Sequence, residues 1–408
     1  MKKYIRAAAL FAAAALLLSS CKSIESRTDI NGEQGVAITT RATALPAMAA
    51  PKTEAQTEVS AESPREEELP EKEEENEAKE ENETENENAR AVISFVGDVT
   101  QSDVFGEATS YRYPEYPFED VSGIFQSADL SFANLETCVS ERGESEKKEG
   151  YGFRTDPDFL SVFTLAGLDI VSTANNHVRD FGMEALDDTF TNLENAGLKY
   201  VGAGRNSSEA EKLELFELNG ITVGFTACNM INMNPNWYAE EDRAGIACVD
   251  SDNSGEYLEK IADYDKLCDV LFVSVHWGVE YYNEVTEEQQ AFAHKLCDSG
   301  ADILLGHHPH VLEPIESYKD SVIFYSLGNF LFYKMNDEAG ETAVFTVEIS
   351  KNGFESGKMS PVVISYCKAV LLEEESETGA AIIGRVASLS EKYGIKIDER
   401  GEISRKYE

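Results

Sequence analysis

Three of the six histidines in this 408-residue chain fall in one short stretch. They are His307, His308 and His310 of "GHHPH", at the end of the apolar run "ADILL". Imidazole titrates nearest neutrality and is the commonest metal ligand, so crowding it at one turn asks for a chemical reason. Other polar residues follow apolar runs in the same way. Asp98 stands in "VGDVTQSD", Asn134 and Glu136 in "SFANLETCVS", and His276 with Glu280 in "VSVHWGVEYY". Asn175, Asn176, His177 and Asp180 share the single turn "ANNHVRDFG". Singly, most of these have ordinary explanations: an aspartate after a strand caps a turn, and a lone histidine sits satisfied in a core. The "ANNHVRDFG" turn is the strongest, because a structural loop has little use for four such residues together.

Taken together, Asp98, Glu136, Asn176, His177, His276, His308 and His310 form a donor set suited to divalent ions. Mn²⁺, Fe²⁺ and Zn²⁺ take imidazole, carboxylate and amide oxygen, and Mg²⁺ takes oxygens. Two such ions about 4 Å apart could clamp a phosphoryl group and sharpen a bound water into hydroxide. Without metal, the same histidines could donate a proton or grip a carboxylate. Pro309 separates His308 from His310 and keeps the two imidazoles from following a helix. His294, beside Lys295 in a helical stretch, reads as structural.

Elements that would position this set are legible in the pattern. In "PDFLSVFTLAGLDIVSTANNH" a helix opens at Pro157, stops near Gly167 and leads through a strand into Asn175. "MEALDDTFTNLENAGLKYVGAG" spaces Leu186, Phe190 and Leu193 on one helical face and stops at Gly197. "TEEQQAFAHKLCDSGADILLGHHPH" opens with a capping-box pattern, Thr286 and Gln289, and stops at Gly300. Strands are expected in "AVISFVGD", "ITVGFTACN", "DVLFVSVHWG", "SVIFYSLGNF" and "TAVFTVEIS". Helices alternating with strands predict an α/β domain with covered sheets, and sites in such sheets form outside the carboxyl ends of strands.

The chain divides by composition. Residues 1–20 carry Lys2, Lys3 and Arg6 ahead of an apolar stretch shorter than the roughly 20 residues a spanning helix needs, as a signal peptide does. That stretch ends in "LSSC", a lipobox-like pattern that would make Cys21 the lipidated residue; a secretory signal with a chance cysteine is the competing reading. Lipidation would anchor the protein to the extracytoplasmic face of a bacterial cell membrane. Residues 21–89 are glutamate-rich and nearly free of aromatic and branched side chains, as in a disordered acidic tether. Residues 90–370 have the composition of a folded domain, and 371–408 read as a C-terminal helical extension, with Ile382, Val386 and Leu389 on one face. The net charge of −41 argues against nucleic acid and against a broad basic binding surface, so an anionic partner would need locally concentrated cations such as bound metal. The six cysteines beyond Cys21 are scattered with no CxxC spacing and read as small buried hydrophobes, any disulfide being unassignable.

The ordered blocks "GDVT", "NLET", "ANNHVRDFG", "HWGVEY", "GHHPHVLEPIE" and "YSLGNFLF" resemble the CapA family of capsule or poly-γ-glutamate biosynthesis proteins, with a metallophosphoesterase-like fold. The resemblance covers about 91 to 340. It implies a calcineurin-like sandwich of two mixed β-sheets flanked by helices. It also implies a role in synthesis, export or attachment of an anionic surface polymer, alone or with its synthetase complex. A metal-dependent hydrolase of cell-envelope material and a noncatalytic scaffold are the alternatives. Catalytic roles then go to His177, His276, His308 and His310. Asn134, Asn175, Asp180, Glu280, His307, Ser326 and Asn329 are the expected substrate contacts, with Gly328 in the same wall. His307 is ambiguous, because the Gly-His-x-His signature aligns from either 307 or 308. Thr100 departs from the family in two ways: calcineurin-like enzymes carry Asp-x-His there, and CapA proteins commonly carry Gly-Asp-x-Met.

Overall fold

Strand Val270–His276 shows how each sheet comes to have two covered faces. Its period of two sends Val270 and Phe272 into a core shared with Ile303, Leu305 and Phe225. Leu271, Val273 and Val275 point the other way, against Phe292 and Leu296 of helix Glu287–Asp298. The same logic holds in the second sheet. There Ile93 and Phe95 of strand Ala91–Val99 enter the shared core, while Val96 and Val99 join Phe163, Leu186 and Phe190 of the helices Leu160–Ala166 and Gly182–Ala196. The result is a sandwich of two mixed sheets flanked by helices, as the family resemblance implied.

The computed structural model describes residues 89–101, 113–146, 151–250, 253–332 and 338–406. The expected leader, Cys21 and the tether through residue 88 lie outside the described residues. In the larger sheet, Ala91–Val99 runs parallel to Leu130–Leu135, followed by Ile170–Ser172 and Lys199–Val201. On its other side Glu341–Ser350 and Gly353–Ser365 pair antiparallel. In the smaller sheet, Ile221–Asn229, Val270–His276, Ile303–His307 and Ser321–Phe324 are parallel neighbours, with antiparallel strands at both edges. Aromatic rings join the two sheets: Phe132 stacks on Phe225 at 5.8 Å, and Phe95 meets Phe324 edge-on at 4.9 Å. Each fully buried ring of this kind contributes about 1.5–3 kcal/mol.

Helix signals read from the sequence have clear physical counterparts. Gly167 and Gly197 close their helices in the left-handed conformation, which glycine adopts without strain. Thr286 and Gln289 form both halves of the capping box. The C-terminal segment, expected to be helical, is only partly so. After helix Glu377–Ser390, the strands Ile395–Ile397 and Glu402–Arg405 join the larger sheet, and Ile382, Ile395 and Ile403 enter the central core. Among the described residues no helix is long and apolar enough to cross a membrane, and all six described cysteines are free.

One expected strand divides in two. "SVIFYSLGNF" pairs with the smaller sheet over Ser321–Phe324, leaves it, and pairs with Ala91–Val99 of the larger sheet over Asn329–Leu331. Gly328 makes the turn at φ 67°. Backbones pass closely here: a Cβ on Gly97 would stand 1.8 Å from the Gly328 carbonyl oxygen, and one on Gly306 would stand 1.9 Å from that of Tyr325.

Candidate metal centre

Strand register brings the polar residues to one edge. Asp98 pairs with Asn134 on one side and Asn329 on the other. In the smaller sheet His276 pairs with both His307 and Asn229. Asp98, Asn134, Asn229, His276 and His307 stand at the carboxyl ends of parallel strands from both sheets, Asn329 opens the strand Asn329–Leu331, and the turn from Asn175 to Asp180 follows the end of Ile170–Ser172.

Asp98 is the hub. It is fully buried, with Oδ1 accepting from Asn134 Nδ2 at 2.9 Å and lying 3.2 Å from His307 Nδ1. Oδ2 lies 3.2 Å from His310 Nδ1 and accepts from the His308 backbone N–H at 3.3 Å. Burial pushes this carboxyl up, but hydrogen bonds and charge from His307 and His310 outweigh it and hold Asp98 well below the usual carboxylate range. His308 and His310 both take positive φ, 95° and 59°, on either side of Pro309. Such backbone costs about 1–3 kcal/mol per residue and clusters at functional sites.

Glu136 lies across the site, fully buried, with Oε1 at 3.7 Å from His276 Nε2 and 3.8 Å from His177 Nε2. His276 Nε2 approaches Asn176 Oδ1 at 2.8 Å, while its Nδ1 has no hydrogen-bond partner among the described residues. Burial and then the neighbouring His308 hold His276 well below the usual imidazole range, so it is neutral and available as a ligand. His177 is oriented from behind: Nδ1 lies 2.6 Å from Asp180 Oδ2, which also accepts the Phe153 backbone N–H at 2.8 Å. Phe153 stacks on the His177 ring at 4.1 Å.

These residues fit a divalent ion. Donor atoms of Asp98, Glu136 and His276 lie within 4.8 Å of one another, and so do those of Glu136, His308 and His310. The two groups share Glu136, every member is buried, and the donors mix imidazole nitrogen with carboxylate oxygen.

With that geometry in place, comparison with known proteins is decisive. The sequence model of a family described as bacterial capsule synthesis protein PGA_cap matches residues 92–334, more than half of the chain. The chain belongs to this family. It is 29% identical over 311 residues to the PGA biosynthesis protein CapA of Bacillus subtilis, covering 75% of this chain and 80% of that one. It is 30% identical over 271 residues to the capsule biosynthesis protein CapA of Bacillus anthracis, covering 65% of each. Solved structures similar to it include a phosphatase from Mycoplasma pneumoniae, at TM-score 0.46 and 14% identity over 67% of this chain and 94% of that one. A 5'-nucleotidase from Candida albicans aligns at TM-score 0.41 and 11% identity over 74% of this chain and 58% of that one.

In this PGA_cap member, several residues expected to touch substrate stand behind the candidate metal ligands. His307 is buried against Phe132 of the core, 5.9 Å between ring centroids. Asn175 donates to Asn134 Oδ1 and to the Leu135 carbonyl, and its own Oδ1 caps the N–H groups of His177 and Val178. Asn329 Oδ1 lies 2.9 Å from His310 Nδ1, and Ser326 donates to the Val311 carbonyl. Glu280 is exposed on the loop after His276, and its neighbour Tyr281 turns back to the site. Thr100 is buried, its backbone N–H donating to the Leu331 carbonyl at 2.8 Å and its hydroxyl without a hydrogen-bond partner among the described residues. His294 lies apart, stacked on Tyr318 and 3.2 Å from Glu316, in the structural role expected.

Sequence reasoning passed over four residues. Asn229 ends "ITVGFTACN" beside His276 and carried the same signal as Asp98, a polar residue closing an apolar run. Tyr281 follows Glu280 in a block already under suspicion. Phe153 and Phe332, which rest on His177 and His310, carried no signal.

Proposed function

We propose that this protein acts in the biosynthesis of an anionic capsule polymer, poly-γ-glutamate, through a divalent metal held at the strand-end site. Family membership and the two relatives named for PGA and capsule biosynthesis support the polymer. The observation that carries the metal is the buried Glu136 shared by two groups of ligand-competent side chains. The lipobox-like "LSSC" supports anchoring through Cys21, with the 21–89 tether holding the domain away from the membrane. An acidic protein that handles a polyanion needs a local cation, and the metal would be that cation.

Asp98, Glu136, His276, His308 and His310 would hold the ion, with Asn176 and His177 beside them. A bound divalent ion would supply Lewis acidity and a water acidified toward neutral pH. His307 and Asn134 fix the Asp98 carboxylate, and Asn329 fixes the His310 ring; ligand orientation of this kind typically changes metal affinity 10–100-fold. One feature favours a hydrolytic role at this site over pure polymer binding. Asp180 holds His177 Nδ1 and leaves Nε2 toward Glu136, an arrangement suited to taking or giving a proton there.

Two measurements test these readings. In a host that makes the polymer, a deletion strain should lose surface poly-γ-glutamate, and unchanged polymer would remove the biosynthetic role. Purified protein should contain a divalent metal and lose it in a His308→Ala, His310→Ala double variant. Chelator-sensitive cleavage of a γ-glutamyl or phosphoester substrate, abolished in His177→Ala, would establish the hydrolase. Metal without turnover would leave a binding role alone.

A further inference from the structure

The amide and hydroxyl donors around this site are mostly spent on neighbouring protein groups. Asn134 donates to Asp98, Asn175 to Asn134, Ser326 to Val311 and Asn329 to the Ala339 carbonyl. What faces inward is rich in acceptors, yet an oxyanion brought to a metal needs hydrogen-bond donors as well. Tyr281 stands out against this background. Its ring lies 5.8 Å from that of His310 at 36°. Its backbone N–H donates to the Pro309 carbonyl at 2.8 Å, which ties it to the His308–Pro309–His310 turn.

Two further facts separate Tyr281 from a packing residue. It holds φ at 60°, an unfavourable conformation for a bulky side chain, directly beside the ligand histidines. It is also 39% exposed, with Val279 and Tyr282 exposed on the same loop. Among the described residues the Tyr281 hydroxyl makes no hydrogen bond. Thr100 also keeps an unpartnered hydroxyl, but that one is buried, at 3% exposure.

We infer that Tyr281 is a substrate-binding residue, its phenol donating a hydrogen bond to an oxyanion of the substrate, carboxylate or phosphoryl, bound beside His310. The loop Gly278–Tyr282 is then the lip of the site: Gly278, at φ 84°, turns the chain, and the bond to Pro309 sets the ring over the histidine turn. This rests on the metal-site reading above.

Calorimetric titration of Mn²⁺-loaded wild type and Tyr281→Phe, with inorganic phosphate and with tri-γ-glutamate as probes, tests it. Phenylalanine keeps the ring and removes only the hydroxyl. Loss of a hydrogen bond to a charged group predicts roughly 10- to 100-fold weaker binding, with metal content and melting temperature unchanged. Weakening confined to phosphate identifies a phosphoryl oxygen as the partner; weakening confined to tri-γ-glutamate identifies a carboxylate. Equal affinity in both proteins overturns the inference and leaves the metal site standing. Loss of metal together with probe binding makes Tyr281 a structural prop and also overturns it. Wild type that loads metal and binds neither probe overturns the inference and the polymer-handling role together.

Discussion

At the scale of single residues, the support beneath the histidines is as informative as the histidines themselves. Glu313 is buried behind the turn, where its Oε2 accepts from Gln289 Nε2 at 2.9 Å. Burial pushes its carboxyl up to about 8, against the opposing pull of that hydrogen bond. The unfolded chain titrates near its ordinary value of about 4.3. Between those two values the folded protein holds a proton that the unfolded chain releases. Its contribution is therefore fully present below the lower value and is lost as pH rises through the higher one. Glu313→Gln, neutral throughout, should flatten the pH dependence of stability. Thermal melts should show little gain near pH 5 and a gain on the order of a few kcal/mol near pH 8. Asp98→Asn should cut metal content by about tenfold or more, measured by elemental analysis, because it removes the charge that His307 and His310 hold in place. The candidate ligands stood out in the sequence because Asp98, His276 and His308 are polar residues closing apolar runs. Tyr281 was not, since its role comes from a positive φ and a hydrogen bond to Pro309 that no spacing rule reports.

At the scale of elements, the helices were the easiest part to read. Their stops and caps are local: Gly167, Gly197 and the Thr286–Gln289 box each act within one turn. The passage between sheets at Tyr325–Gly328 was hidden, because "SVIFYSLGNF" reads as continuous strand and only tertiary pairing divides it. Glycines show which backbones meet there. Gly97→Ala should destabilise the fold by about 3 kcal/mol or more, as overpacking does, since its Cβ would meet the Gly328 carbonyl. Gly384→Ala, in helix Glu377–Ser390 with no atom within 4 Å of the added Cβ, should stabilise by about 0.5–1 kcal/mol. Denaturant titration of the two variants separates a packing effect from a general response to alanine.

At the scale of the whole molecule, a net charge of −41 sets the terms on which any polyanion can be met. Co-sedimentation with poly-γ-glutamate should depend on a divalent cation and fail in chelator, whereas a basic surface patch would bind best at low salt without one. The cysteines give a second global readout. Cys367, exposed at a hairpin tip, should react first with a thiol reagent, and the buried Cys138, Cys228 and Cys248 only on unfolding. The passage between sheets also governs how the protein comes apart. The Asp98 backbone N–H donates to the Gly328 carbonyl at 2.9 Å, so the hub of the site is fastened to the segment that joins the two sheets. The sheets cannot part at this segment without breaking the bond that fastens Asp98. Hydrogen exchange at Asp98 should therefore be as slow as the slowest core amides. An ion bound at the site should then slow unfolding of the entire sandwich, so that an occupied candidate metal centre would act as a brake on its own domain's denaturation.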